Sequence, residues 1–239
     1  MRALSSAEVL ALWEDGQRLH SLDRGLLAIR VFGLESEGDA ADWPLGRRNQ
    51  ALAEMYRECF GPKLQGWTEC GHCAEKLEFE IDCLSLIERQ NHANADPVFV
   101  RGGAFRAPTS RDLARVAHEP DSESAARLLM QSCRLLGDGS EDSVPTAGWT
   151  PIDCEELGMR VAEADPLVEI LLSFECPACK TAREQALDLP EFIWAQLEGV
   201  AKRILHEIHI LAGAYGWSED QILALSDSRR SLYLQMVQA

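Results

Sequence analysis

Two Cys-x-x-Cys motifs constrain the fold of this chain more than any other feature. They are Cys70-Gly-His-Cys73 and Cys176-Pro-Ala-Cys179. Segments that alternate apolar and polar residues flank the first motif, while a strongly apolar segment precedes the second and a short polar one follows it. Both patterns predict a β-hairpin with the motif at its turn. Two such hairpins carry the four thiols of a zinc ribbon, in which sulfur ligands surround the ion as a tetrahedron.

The long separation of the two motifs is compatible with one shared site. About 100 residues lie between them, and lengthening a loop from about 20 to about 100 residues costs only about 1.4 kcal/mol. A structural zinc site contributes roughly 10 kcal/mol or more. Four thiolates complete the coordination of zinc and leave no position for a catalytic water. We therefore predict one structural zinc ion per chain, bound by Cys70, Cys73, Cys176 and Cys179.

Two other interpretations of the motifs remain open, namely metal-free turns and a redox site. A thioredoxin-type redox motif opens a helix, and neither motif is followed directly by a helical pattern. His72 lies inside the first motif and is expected to be exposed at the turn. The remaining cysteines have apolar neighbours in sequence and are expected to be small buried residues: Cys59, Cys83, Cys133 and Cys154.

The charge of the chain disfavours several classes of function. The 239 residues carry a formal net charge of −16, which argues against a surface for nucleic acid or an anionic membrane. No apolar run has the length of a membrane span, and the N-terminus lacks a cleavable signal pattern. Eight cysteines without a secretion signal favour thiols and metal over disulfides, so we expect a cytoplasmic protein.

Helical periodicity and capping residues predict that helices dominate the chain. Before the second motif, helices are predicted after Ser5, at 22–32, 45–60, 110–117 and 122–136, and from Thr150 onwards. Strands are predicted at 99–105, as a pair, and at 167–174, with a loop at 138–143. The segment 83–96 fits a helix or a loop.

The longest helical pattern follows the second motif. It is capped by Asp188 and ends at Gly216, and its apolar residues recur every three or four positions. A capping box at Ser218 and a cap at Ser226 predict two short helices after it. The chain is thus predicted to end in one long helix with two short helices folded back on its end.

These elements together predict an α+β fold that is mostly helical, with a small antiparallel zinc-ribbon-like sheet formed by the two hairpins. The predicted units are an N-terminal helical region, a zinc-ribbon-like module, a mainly helical insertion and a C-terminal helical region. Their bounds are 1–63, 64–83 with 167–188, 84–166, and 189–239.

The segment His206-Glu207-Ile208-His209 is the one stretch that suggests an enzyme. A zincin places its histidines four residues apart with a glutamate beside the first. Here the spacing is three and no third ligand is evident. We therefore predict that Arg203 and Glu207 pair on the surface and that the histidines border the packed face of the helix.

Two arginine pairs are candidates for contact with other proteins. Arg47-Arg48 and Arg229-Arg230 are expected on solvated faces, where a partner's carboxylates could dock. Arginine, tyrosine and methionine are enriched at interfaces. We therefore predict a partner-binding surface on the last helix, formed by Arg229, Arg230, Tyr233 and Met236. The alternative, in which Tyr233 and Met236 pack against the fold, remains open.

Several segments resemble the T4-type bacteriophage baseplate family. In the C-terminal third they are Glu163-Ala-Asp-Pro166, CPAC, LPEFIW, LHEIHILAGAYGWSEDQILAL and LYLQMV. Earlier in the chain they are Pro44-Leu-Gly-Arg-Arg-Asn49, the first motif with LEFEID, and Ala107-Pro-Thr-Ser-Arg-Asp-Leu113. The resemblance covers most of residues 44–237, and Tyr215-Gly-Trp-Ser-Glu219 is its most specific motif. The first motif departs from it, because CGHC stands where the family pattern is CPxC.

The resemblance implies a structural or assembly protein of a contractile phage tail or a related contractile injection system, not an enzyme. It implies baseplate, hub or tube proteins as partners, without nucleic acid, membrane or small-molecule substrate. The expected location is the bacterial cytoplasm during assembly, or the baseplate of the particle. The alternatives are a cytoplasmic zinc-ribbon adaptor and a metalloenzyme that uses His206, Glu207 and His209.

Overall fold

The computed structural model describes residues 4–34, 38–91, 93, 96–135 and 149–238. Within these residues the protein is an α+β structure in which helices dominate and the strands form small antiparallel sheets. The predicted fold class is confirmed. The predicted loop at 138–143 lies outside the described residues.

Most helices begin where a side chain accepts a hydrogen bond from the first turn, as Ser5, Asp82 and Asp188 do. The longest helix ends at Gly216 in the left-handed conformation, as predicted. The helices are α1 (Ser6–Gly16), α2 (Ser21–Val31), α3 (Leu45–Phe60), α4 (Cys83–Gln90), α5 (Ser110–Val116), α6 (Ser122–Cys133), α7 (Pro151–Ala164), α8 (Leu189–Tyr215), α9 (Glu219–Leu223) and α10 (Asp227–Gln238), with a short 3-10 turn at Ala40–Asp42.

The strands form three separate antiparallel sheets within the described residues. The strands are β1 (Lys63–Glu69), β2 (Lys76–Asp82), β3 (Val98–Val100), β4 (Gly103–Phe105), β5 (Arg134–Leu135), β6 (Leu171–Glu175) and β7 (Ala182–Ala186). β1 pairs with β2 and β6 pairs with β7, so each Cys-x-x-Cys motif closes a two-stranded hairpin. The two hairpins do not share a backbone ladder, and side chains must hold them together.

Helix α8 is the axis on which the terminal helices pack. Its buried side chains include Ile193, Leu197, Ile204 and Leu211, which follow one another at four or seven positions on one face. Helices α1, α2, α3, α9 and α10 contact this helix. Helix α1 approaches α8 closely at Gly16, where an added Cβ atom would lie only 2.2 Å from the ring of Trp194. The absence of a side chain at Gly16 therefore makes this close packing possible.

A second core lies where α3, α4 and the first hairpin meet the start of α8. Leu52 of α3, Leu64 of β1, Leu167 and Leu189 have no exposed surface, and Leu86 of α4 belongs to the same cluster. Residues that precede position 98 and residues that follow position 161 therefore both contribute to this core. The hairpins are positioned directly against it.

Residues 98–161 have a hydrophobic core of their own. Phe105 packs on Trp149 with ring centroids 5.3 Å apart, and Met130, Leu157 and Val161 complete the cluster with Val100. We call this region the insertion, because it interrupts the chain between the two hairpins. Strands β3 and β4 and helices α6 and α7 supply most of the residues of this core, and α5 packs on α6.

Buried polar side chains join the insertion to the helical core. The Asp165 carboxylate accepts hydrogen bonds from the backbone N–H of Gly46 at 3.0 Å and from Gln90 Nε2 at 2.6 Å. Gln90 in turn accepts one from the N–H of Leu167, and Asn49 donates to the carbonyl oxygen of Leu167 at 2.8 Å. Each of these polar side chains is less than one-tenth exposed, so the network is fully desolvated and fixes both ends of the insertion.

Arg48 belongs to this junction and is not on a solvated face. It is 5% exposed, and it donates to Asn49 Oδ1 at 2.9 Å and to Ser110 Oγ at 3.3 Å. Burial lowers the pKa of Arg48 to about 10, while the charge of Asp188 acts in the opposite direction. The expectation of a solvated Arg48 was wrong, because its guanidinium is needed to satisfy buried oxygen atoms.

Two element boundaries also differ from those predicted. The helix predicted at 122–136 ends at Cys133, because the next two residues form β5 and pair with β4. The strand predicted at 167–174 begins at Leu171, because the backbone of Leu167 bonds to the side chains of the junction. In the part of the chain that the structure describes, no helix combines the length and apolar character of a membrane span.

Candidate metal centre

The two Cys-x-x-Cys turns have the same backbone hydrogen bonds. In the first, the N–H of Cys70 donates to Glu75 O and the N–H of Ala74 donates to Cys70 O, both at 2.8 Å. In the second, the N–H of Cys176 donates to Thr181 O at 3.1 Å and the N–H of Lys180 donates to Cys176 O at 2.8 Å. The two turns are therefore equivalent, although one contains Gly71 and His72 where the other contains proline and alanine.

The residue after the second cysteine of each turn is left-handed. Ala74 has φ 58° and Lys180 has φ 59°. Glycine adopts this conformation without steric cost, whereas for a residue with a side chain the conformation costs roughly 1–2 kcal/mol. The absence of glycine at both positions is why the sequence did not predict this feature. Both turns therefore carry the same backbone strain, at Ala74 and at Lys180.

The four sulfur atoms lie close enough to bind one metal ion. All lie within 4.8 Å of one another, with 3.7 Å between the Cys70 and Cys179 sulfurs and 3.6 Å between those of Cys73 and Cys176. Zinc–sulfur bonds of about 2.3 Å in a tetrahedron place the sulfurs about 3.8 Å apart. A disulfide would require about 2.05 Å. The spacing therefore fits a metal ion such as zinc, and the predicted convergence of the two motifs is confirmed.

The first cysteine of each motif faces the protein and the second faces outward. Cys70 is 3% exposed and Cys176 is fully buried, whereas Cys73 is exposed and Cys179 is half-buried. The buried pair packs with Leu77 and Phe174 in a small apolar cluster. This cluster covers the four sulfur atoms on one side, whereas the side of Cys73 and Cys179 is accessible to solvent.

Hydrogen bonds change the acidity of the thiols. The Thr181 hydroxyl, 3.3 Å from Cys179 Sγ, and the Thr181 backbone N–H lower the pKa of Cys179 to about 6. The backbone N–H groups of His72 and Cys73 lower the pKa of Cys70. For Cys73, the N–H of Glu75 lowers the pKa, but desolvation and the neighbouring thiols outweigh it and raise the pKa to about 12. Because thiolates are the ligands, the site is partly prepared for metal near neutral pH.

Polar side chains of β7 fasten the second hairpin to the first. Arg183 Nη1 donates to the carbonyl oxygen of Glu69 at 3.1 Å, next to Cys70, and its Nη2 donates to Gln185 Oε1. Gln185 also accepts a hydrogen bond from Thr68 Oγ1 at 2.7 Å. A Cβ atom added at Gly71 would lie 3.0 Å from Arg183 Nη1. The guanidinium therefore packs over the glycine that distinguishes CGHC from CPxC.

Phenylalanines connect the four-cysteine cluster to the long helix. Phe79 of β2 contacts Phe174 of β6 with ring centroids 6.2 Å apart, and contacts Phe192 of α8 at 6.0 Å. A side chain at Gly66 of β1 would collide with Phe79, since an added Cβ atom would lie 2.6 Å from its ring. The aromatic contacts thus join both hairpins and the first turn of α8.

The other cysteines, and the histidines singled out in the sequence, are not part of the four-sulfur cluster. His72 is exposed at the turn, as expected. Cys83 and Cys133 are buried, and Cys59 and Cys154 are partly buried.

His206 and His209 are exposed on α8, and the described residues do not place a third metal ligand beside them. Glu207 Oε1 lies 3.9 Å from Arg203, as predicted, but its other oxygen lies 2.6 Å from Arg230.

The predicted partner-binding residues separate into two groups. Arg229 and Met236 are exposed, with Met236 at 64%. Arg230 is 4% exposed and binds Glu207, Asp227 and Ser6, so the expectation that it lies on a solvated face was wrong. Tyr233 packs edge-on against Trp217, with ring centroids 4.9 Å apart. Arg230 is buried because it satisfies charges where α1, α8 and α10 meet.

Comparison with known proteins adds no relative, because no protein-family model, no curated protein and no solved structure matches this chain. The metal centre and the sequence motifs are therefore the basis for inferring function.

Proposed function

We propose that the chain is a non-enzymatic structural or assembly component of the baseplate of a contractile phage tail or a related injection system. The four-sulfur cluster is the observation that supports a structural role. The baseplate assignment is supported by the sequence resemblance over residues 44–237. Its proposed partners are other baseplate, hub or tube proteins, which it meets in the bacterial cytoplasm during assembly.

The proposed metal is one zinc ion held by four thiolates. Zinc prefers four sulfur ligands in a tetrahedron, and the observed sulfur spacing is close to that geometry. A zinc ion with four protein ligands has no open position for a substrate or a water molecule. Its role would be to stabilise the junction between two hairpins that do not share a sheet.

A catalytic role for Glu207 would require the loss of an existing contact. Its carboxylate bonds to Arg230 at 2.6 Å in a buried part of the protein, where the pair contributes to helix packing. His206 and His209 lie on either side of it with exposed side chains. These contacts support the non-enzymatic proposal over the metalloenzyme alternative.

Co-expression with the neighbouring structural genes tests the proposal. The tagged chain is purified and the associated proteins are identified by mass spectrometry, with the Cys176→Ser variant as a control for folding of the metal centre. We expect hub, tube or baseplate proteins to co-purify with the zinc-loaded wild type. Co-purification of transcription or other cytoplasmic complexes instead would support the zinc-ribbon adaptor alternative and contradict the baseplate proposal.

A further inference from the structure

The outward face of the first hairpin carries one large apolar side chain, that of Trp67. In β1 and β2 alternate residues point towards the core and towards solvent, and their exposure follows this period of two. The strand register places eight side chains on the outward side, which we call the hairpin face: Lys63, Gln65, Trp67, Glu69, Lys76, Glu78, Glu80 and Asp82. Seven of the eight are charged or amide side chains, so Trp67 is the exception to a polar pattern.

Trp67 points outward because the packing of its neighbours fixes the register. Leu64 and Leu77 are buried on the opposite side of the hairpin, and a shift of one residue would expose them. All six tryptophans lie within the described residues, and Trp67, at 56% exposed, is the only one that is mostly in solvent. Tryptophan is among the residue types that contribute most to binding at protein interfaces. An exposed tryptophan held in a fixed position therefore marks the hairpin face as a candidate contact surface.

The hairpin face already holds one cation of its own over Trp67. Lys76 Nζ lies 5.1 Å from the centroid of the Trp67 ring and 3.6 Å from a carboxylate oxygen of Glu78. Trp67 and Glu78 are directly opposite each other in the two strands, so the ring and the carboxylate act on the same ammonium group. Lys76 covers little of either, because the Glu78 side chain remains 79% exposed. Both groups are therefore accessible to a cation from another molecule.

A trough on the same hairpin extends this site. Its volume is about 500 Å³, and its lining consists of Gln65, Gly66, Trp67, Glu78, Phe79 and Glu80. Of its two carboxylates, Glu80 is bound by Lys63 and accepts a hydrogen bond from Gln65 Nε2 at 2.7 Å. Glu78 is thus the more accessible carboxylate, and it lies beside the exposed ring. An aromatic ring next to a carboxylate is suited to a cationic side chain.

The hairpin face has a surplus of negative charge even when its lysines are counted. Its two cations are Lys63 and Lys76. Its four carboxylates are those of Glu69, Glu78, Glu80 and Asp82, which leaves a surplus of two negative charges. The whole chain has the same sign, with a formal net charge of −16. Both the local and the total charge favour a basic partner and disfavour nucleic acid or an anionic membrane.

We propose that the hairpin face binds an arginine side chain of a basic segment from a partner protein. The guanidinium group stacks on the Trp67 ring, displaces the ammonium group of Lys76 and pairs with the carboxylate of Glu78. Arginine suits this site better than lysine, because its planar group stacks on an aromatic ring and binds a carboxylate through two N–H groups. The inference goes beyond the proposed function, since it states the chemistry of a partner without using the baseplate assignment.

The test uses the full zinc-loaded chain. Blocked tetraarginine and tetralysine are titrated by calorimetry at about 150 mM salt, where the Debye length of about 8 Å screens distant charges. Trp67→Ala removes the ring, and Trp67→Phe retains an aromatic side chain. Lys76→Ala removes the competing ammonium group. Its matched control is Lys202→Ala, since Lys202 is 65% exposed and pairs with Glu198 at 2.8 Å on α8. Circular dichroism and zinc content verify that each variant is folded.

We expect tetraarginine to bind more tightly than tetralysine. Trp67→Ala should weaken the binding of tetraarginine about tenfold, and Trp67→Phe only about threefold. Lys76→Ala should strengthen this binding about threefold, whereas Lys202→Ala, with the same change in net charge, should leave it unchanged.

Unchanged affinity in Trp67→Ala would show that net charge alone attracts the peptide and would overturn the proposal. Equal effects of the two lysine substitutions, or tighter binding of tetralysine, would overturn it as well. Co-purification of baseplate proteins is measured separately, so these outcomes are distinguishable from a failure of the proposed function.

Discussion

Arg230 shows how one buried side chain can join three helices. It lies on α10 and bonds to Glu207 of α8, to Ser6 of α1 and to Asp227 of its own helix. Its Nη1 is buried and has no hydrogen-bond partner among the described residues. A buried charge that loses its partner is costly, so each of these helices depends on the same guanidinium.

Substitution of Arg230 by methionine should therefore destabilise the protein. The change leaves Glu207, whose side chain is 19% exposed, without its closest cation. We expect the free energy of unfolding to fall by about 3 kcal/mol, as measured by urea denaturation. The matched control is Arg229→Met, which should change stability by less than about 0.5 kcal/mol because that side chain is exposed. Equal effects of the two substitutions would refute this role for Arg230.

The contact between Gly71 and Arg183 predicts a coupled pair. Alanine at Gly71 would press against the guanidinium, and Arg183→Ala would remove it, so we expect the first change to weaken the bond to the Glu69 carbonyl and the second to abolish it. Each single variant should weaken zinc affinity about fivefold, measured by competition with a chelator. The double variant should be no weaker than Arg183→Ala alone. Additive losses would show that the two residues act independently.

The acidity of the thiols predicts the order in which they react in the metal-free protein. With a pKa of about 6, Cys179 is mainly thiolate at pH 7, whereas Cys73, with a pKa of about 12, remains a thiol. Iodoacetamide should therefore label Cys179 before the more exposed Cys73. The rate at Cys179 should fall as the pH drops below about 6, because the thiolate is protonated. Peptide mass spectrometry measures both rates, and faster labelling of Cys73 would contradict the prediction.

At the scale of single elements, α10 presents a face that the fold does not use. Leu232 is 55% exposed and Met236 is 64% exposed, one turn apart, while Tyr233 faces inward towards Trp217. Exposed apolar side chains next to Arg229 have the composition of an interface. We propose that this face is the docking surface within the baseplate. Arg230 is not part of it, because its side chain is buried.

Changes on this face should affect partner binding and not folding. Arg229→Glu together with Met236→Ser should abolish co-purification with the partner, while zinc content and the urea midpoint stay unchanged. The control is Ser231→Ala, on the same helix, which should retain both properties. Normal particle assembly by a folded, zinc-loaded double variant would show that α10 is not the docking surface.

At the scale of the whole molecule, metal removal should loosen the hairpins before the insertion. The hairpins share no ladder, whereas the insertion is held by its own core and by the Gln90–Asp165 junction. Zinc removal by a chelator, or Cys176→Ser, should lower the melting temperature by at least about 10 °C. Amide exchange should increase in β1, β2, β6 and β7 more than in β3 and β4. Unchanged metal content and melting in Cys176→Ser would rule out the metal centre.

Much of the architecture was predictable because its causes are local. The caps at Ser5, Asp188 and Ser218 lie beside the helices they begin, and the turn motifs lie beside the strands they join. The burial of Arg48 and Arg230 was not predictable, because their partners Ser110 and Glu207 are distant in sequence. The left-handed Ala74 and Lys180 were missed for a different reason, since neither residue type indicates that conformation.

The position of the two motifs also has a consequence for synthesis of the protein. The first pair of thiols leaves the ribosome about 100 residues before the second pair, which is roughly 5–20 s at ordinary translation rates. During that interval the nascent chain contains only two of the four cysteines, Cys70 and Cys73. A truncated chain that ends within the insertion lacks two of the four cysteine ligands. A zinc ion bound by all four thiolates would therefore mark chains in which translation has passed Cys179.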